Sequence, residues 1–114
     1  MRVELLYFDG CPSYQGLRPR VERLLADCGL VEHLELVRIA SLEEAQAHRF
    51  LGSPTLRVGG RDVEPGADER TDFGMKCRIY ASKEGLRPAP SDQVIAAALD
   101  RAPQPDWLGS QNDD

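Results

Sequence analysis

The stretch Tyr7-Phe8-Asp9-Gly10-Cys11-Pro12-Ser13-Tyr14 constrains this chain more than any other. Before it, Val3, Leu5, Leu6, Tyr7 and Phe8 form a short apolar run closed by Asp9-Gly10, a turn signal, so residues 2–8 read as a central strand. After it, Leu17, Val21, Leu24, Leu25 and Cys28 recur at helical spacing and predict a helix from Pro12 to Cys28, stopped by Gly29. Pro12 suits the first helical position, where its missing N–H would go unused. Cys11 then stands at or beside the N-cap, facing unpaired N–H groups and the positive end of the helix dipole. Such surroundings favour the thiolate, the reactive form of the side chain. The plainer alternative is a cysteine packed in a turn. Pro19, inside the helical span, predicts a kink or a broken first turn.

A chain of 114 residues suits one domain with one core. Its 14 Lys and Arg stand against 19 Asp and Glu, a net charge of −5, and residues 103–114 hold three of the acids and no base. That balance argues against an electrostatic footprint for nucleic acid. No stretch approaches the length of a membrane span, and no charged-then-apolar leader opens the chain, so the expected location is the cytoplasm. Three cysteines, Cys11, Cys28 and Cys77, do not make the disulfide framework of a small secreted protein. In a reducing compartment a cysteine at a strand-to-helix turn points to catalysis, redox chemistry or metal binding. There is no C-x-x-C pair or Cys/His cluster, so no structural metal site is expected.

Residues 33–39 alternate as a second strand, with apolar residues on both faces, and predict a strand covered on both sides. Ser41-Leu42-Glu43-Glu44 is a capping box that opens a short helix, with Leu42 and Ala45 inward. Phe50-Leu51-Gly52-Ser53-Pro54-Thr55 then leads into a strand that reaches Gly59-Gly60, a two-residue hairpin signal. The two helix-linked strands should be parallel, and the two hairpin strands antiparallel. Residues 64–74 read as an exposed, mobile acidic loop, and residues 75–80 as a short edge strand. Residues 82–90 read as a turn-rich connection, and Ser91 as the cap of a last helix carrying Val94, Ile95, Ala98 and Leu99. Residues 1–102 form the expected domain, and residues 103–114 a flexible tail with Trp107 its only strong anchor. His33 and His48, which have no partner motif, read as surface or structural residues, and Arg57 and Arg78 as solvated strand residues, the alternative being that they bring positive charge near Cys11.

This order of elements resembles the thioredoxin fold. The resemblance implies a central mixed four-stranded sheet flanked by helices, with a loop and short-strand insertion before the last helix. It also implies a cis-proline, matched by Pro54 in Gly52-Ser53-Pro54-Thr55, lying against the reactive cysteine. Tyr7-Phe8-Asp9-Gly10-Cys11-Pro12, Gly52-Ser53-Pro54-Thr55 and Cys77-Arg78-Ile79-Tyr80 together look like a small bacterial group of thioredoxin-like proteins. Members of that group are labelled alkylmercury-lyase-like or uncharacterised, and some carry selenocysteine at the place of Cys11.

The second cysteine of the thioredoxin motif falls at Tyr14 here, so the usual disulfide within one helical turn is impossible. Cys28 lies on the apolar stripe and reads as a buried core thiol. Cys77 is either a core-facing strand residue or the resolving partner of Cys11. The resemblance implies a thiol-dependent redox protein without a cofactor. Cys11 and Cys77 are the candidate catalytic residues, and Pro12, Ser13, Tyr14, Ser53 and Pro54 line the substrate site. Its partner would be a thiol- or disulfide-bearing protein or a small-molecule electrophile, and the protein a monomer or homodimer. The alternatives are a soft-metal or organomercurial-binding protein using Cys11 and Cys77, and an interaction module without chemistry.

Overall fold

The computed structural model describes residues 2–101, so the expected tail and Trp107 lie outside the described residues. Strand β1 (Val3–Tyr7) is followed by helix α1 (Pro12–Asp27), strand β2 (Leu34–Arg38) and helix α2 (Leu42–Ala47). Strands β3 (Thr55–Val58) and β4 (Arg61–Asp62) come next, then a separate hairpin, β5 (Tyr80–Ser82) with β6 (Gly85–Arg87), and helix α3 (Asp92–Arg101). The main sheet has the order β2-β1-β3-β4. β1 runs parallel to β2, from Val3 opposite Leu34 to Tyr7 opposite Arg38, and antiparallel to β3, with Val3 opposite Val58. The result is a mixed α/β domain with the predicted central strand and the predicted pairing directions.

β1 is central because both of its faces are apolar. Val3 and Leu5 face α1 and α3, joining Leu17, Val21, Leu25, Ile95 and Leu99 in one core. Leu6 faces the other way and packs with Ile39, Ala45 and Phe50 beside α2. Gly59 and Gly60, at φ 62° and 81°, close the β3–β4 hairpin with the left-handed turn that their sequence announced. Ser41 caps α2 as predicted, its hydroxyl accepting the Glu44 N–H at 3.1 Å, but the Glu44 carboxylate accepts the N–H of Ala40, one residue before the cap, at 2.8 Å in place of the Ser41 N–H of a full capping box. α1 is continuous through Pro19, without the broken first turn expected there. Gln15, Gly16 and Pro19 all face solvent, so the carbonyl that loses its helical partner there remains open to water. Among the described residues no helix is long and apolar enough to cross a membrane.

Several local expectations are corrected. β2 is an edge strand of the sheet, and Leu36 is exposed on it, so it is not covered on both sides. Leu42 is also exposed, leaving Ala45 as the inward residue of α2. Cys28 is exposed and not in the core. The helix ends one residue before it, and the chain reverses at Gly29 (φ 72°), with the Leu30 N–H bonding back to the Leu25 carbonyl at 2.7 Å. Leu30 therefore packs against the core in the place expected for Cys28. Residues 64–74 are largely exposed, as expected, but carry a short helical turn at Ala67–Glu69 with Ala67 buried, and Asp72 takes hydrogen bonds from Arg70 and Lys76. The strand expected at 75–80 is a single bridge at Cys77, and the hairpin β5–β6 begins only at Tyr80.

Candidate functional site

Cys11 is the N-cap of α1, with backbone angles φ −86° and ψ 106°, and Pro12 opens the helix. No side chain caps the first turn. Cys11 is buried, 2% exposed, while the Pro12 ring faces solvent and Ser13 and Tyr14 are half-buried. Tyr14 stacks flat on Tyr7, with ring centroids 3.8 Å apart and planes 4° from parallel. Desolvation, the neighbouring Tyr14 and the Asp9 carboxylate hold the Tyr7 phenol above its ordinary range. Asp9 itself is paired with Arg38 across the ends of β1 and β2, at 2.7 and 2.8 Å. Hydrogen bonding to Arg38 lowers the Asp9 carboxyl, and Asp9 in turn raises the Arg38 guanidinium.

The second half of the site is the turn from Gly52 to Thr55. The Ser53–Pro54 bond is cis, as the resemblance implied, and both residues are buried. The Phe8 N–H points to the Ser53 hydroxyl at 3.4 Å, which ties this turn to the loop that leads into Cys11. On its other side Ser53 forms a bridge with Cys77: its N–H donates to the Lys76 carbonyl at 2.8 Å, and its carbonyl accepts the Arg78 N–H at 3.0 Å. Ser53 thus stands between the two segments that carry Cys11 and Cys77. Both thiols are free, Cys11 turned inward and Cys77 exposed.

Arg78 and Tyr80, on the alternate positions to Cys77, point inward and anchor this segment. The Arg78 side chain is 1% exposed. It donates to Asp62 at 2.6 and 2.8 Å, to Thr55 Oγ1 at 3.1 Å and to Glu64 at 3.2 Å, and its guanidinium lies 4.4 Å from the Tyr80 ring centroid. Burial opposes its charge, but the Asp62 and Glu64 carboxylates outweigh that and raise its pKa. Its Nε is the one buried side-chain polar atom without a partner among the described residues. The Tyr80 hydroxyl donates to the Pro54 carbonyl, and burial pushes its pKa far up. Arg78 is therefore not the solvated strand residue its surroundings in sequence suggested. Arg57 is half-buried and donates to the His48 and Arg49 carbonyls, and burial lowers its pKa.

What sequence reasoning missed is Asp62 and the buried, anchoring role of Arg78 and Tyr80. The available signal was alternation, since Arg78 and Tyr80 share one side of an extended segment while Cys77 and Ile79 share the other. His33 and His48 take no part in the site. Among the described residues no three His, Cys, Asp or Glu side chains gather as a metal-holding group. Beside the Cys11 loop lies a groove of about 280 Å³ lined by Phe8, Asp9, Arg38, Ile39, Ala40 and Met75. The chain matches no protein-family model, no curated protein and no solved structure.

Proposed function

We propose that this is a thioredoxin-like thiol redox protein, in which Cys11 is the nucleophile and Cys77 the resolving thiol. The observation that carries this reading is the double engagement of Ser53. Its hydroxyl meets the Phe8 N–H of the Cys11 loop, and its backbone pairs with the Cys77 segment, so one residue gathers both thiol-bearing segments. The order of elements around that turn supports the thioredoxin-like assignment. Tyr14, stacked on Tyr7, occupies the place of the second cysteine in the motif, so a resolving thiol must come from elsewhere in the fold.

The chemistry balances in two steps. Deprotonated Cys11 attacks the terminal oxygen of a hydroperoxide, the O–O bond breaks, and the leaving alkoxide takes a proton to become an alcohol. Cys11 is left as a sulfenic acid. Cys77 then attacks that sulfur and expels water, leaving a Cys11–Cys77 disulfide. With a disulfide substrate, Cys11 first forms a mixed disulfide and expels one thiolate, and Cys77 expels the second. A dithiol reductant returns both cysteines to the thiol state.

Oxidation by one equivalent of hydroperoxide, followed by mass mapping, tests the assignment. The wild type should give an intramolecular Cys11–Cys77 bond, which needs Cα atoms about 4.4–6.8 Å apart. Cys77→Ser should accumulate sulfenic acid on Cys11. Cys11-linked dimers in the wild type, unchanged by Cys77→Ser, would leave a monothiol or purely binding role instead.

A further inference from the structure

The geometry points to a low-molecular-weight electrophile, and not an extended polypeptide, as the substrate of this site, an inference that presupposes the thiol chemistry proposed above. A polypeptide that docks by strand addition needs a free N–H and a free C=O on the receiving backbone. Next to Pro54 those groups belong to Ser53, and both are already used by this chain's own Lys76 and Arg78. The segment of residues 76–78 therefore fills this edge of the turn.

It is also firmly held. Arg78 is locked to Asp62 through two hydrogen bonds, and Tyr80 to the Pro54 carbonyl. At Gly52 even a Cβ would stand 2.8 Å from the Lys76 carbonyl oxygen, so no second strand fits between the two segments. A polypeptide adding a strand at Ser53 would first have to strip residues 76–78 from the turn.

The groove beside the Cys11 loop offers a different route. Phe8 and Asp9, which lead into Cys11, form one wall, and Met75, two residues before Cys77, closes another. Its volume of about 280 Å³ is of the size that takes a small organic molecule. Phe8 and Met75 give the groove apolar surface beside the polar groups of Asp9 and Arg38, which neutralise each other at 2.7 Å. An uncharged hydroperoxide or small disulfide suits such a lining.

The test compares three oxidants on the fully reduced protein: tert-butyl hydroperoxide, bis(2-hydroxyethyl) disulfide, and insulin as a polypeptide disulfide. Rapid quenching with a small alkylating agent and mass mapping reads the loss of the Cys11 thiol. At least one small oxidant should consume Cys11 faster than insulin by about tenfold or more, and Ala40→Phe, which fills the groove, should slow that oxidant by about tenfold without changing the insulin rate. Arg78→Met, which loosens residues 76–78, should raise the insulin rate. Insulin reacting at Cys11 as fast as both small oxidants, or a small-oxidant rate indifferent to Ala40→Phe, overturns the inference and leaves the thiol reading standing. If none of the three oxidises Cys11 faster than Cys28, the thiol reading falls and the inference with it.

Discussion

The Arg78 guanidinium and the Asp62 carboxylate meet through two hydrogen bonds, 2.6 and 2.8 Å long, with side chains only 1% and 3% exposed. Sixteen residues separate them in sequence, and their pairing joins the β3–β4 hairpin to the segment that carries Cys77. Removing one partner leaves the other charge buried. Arg78→Met should therefore cost about 3–5 kcal/mol in urea unfolding, whereas the double variant with Asp62→Leu should recover most of that loss. Arg78→Lys keeps the charge without the planar fork and should fall between the two. A double variant as unstable as the single one would mean that the pair contributes more than relief of an orphaned charge.

Thiol exposure sets an order of labelling. Cys28 and Cys77 are exposed and Cys11 is buried. A bulky maleimide added to the native protein should modify Cys28 and Cys77 first and reach Cys11 last. The time course by mass spectrometry checks this, and early modification of Cys11 by the bulky reagent would contradict it.

Gly52 is needed for both its conformation and its size. Its φ is 128°, and a Cβ there would stand 2.8 Å from the Lys76 carbonyl oxygen and 3.2 Å from the Arg78 Cβ. Gly52→Ala should cost about 1–3 kcal/mol from backbone strain alone, before the displacement of residues 76–78 is added. Hydrogen exchange at the Ser53 and Arg78 amides should quicken in the variant. Unchanged exchange there would show that the two segments do not depend on this close approach.

Tyr80 sets an alkaline limit. Its buried phenol is held neutral, with a pKa raised well above the ordinary 10.0. Above about pH 10 an unfolded tyrosine releases its proton and the folded one keeps it, so the folded state binds more protons there and its stability falls as pH rises. One such group lowers stability by about 1.4 kcal/mol per pH unit until the folded pKa is reached. Urea unfolding above about pH 10 should show this slope, and Tyr80→Phe should flatten it while losing the bond to the Pro54 carbonyl.

What was legible in the sequence is what depends on near neighbours. The Cys11-Pro12 helix start, the Ser41 capping box, the Gly59-Gly60 hairpin and the Ser53–Pro54 turn each follow from residues within a few positions. Arg78 was not legible, because the groups that bury and satisfy it, Asp62, Thr55 and Glu64, arrive from another hairpin. Leu36 fits the pattern of a covered strand, but exposure at an edge is decided by which strands lie beside it. Cys28 continues the spacing of Leu17, Val21 and Leu25, yet the turn at Gly29 lets Leu30 take its place.

Leu5 and Leu6 are consecutive, fully buried, and on opposite faces of β1. Each belongs to a different apolar cluster, so a single strand is shared by both halves of the interior. Neither half can loosen its grip on β1 without disturbing the other. The domain should then melt as one cooperative unit, with the amides of β1 the last to exchange.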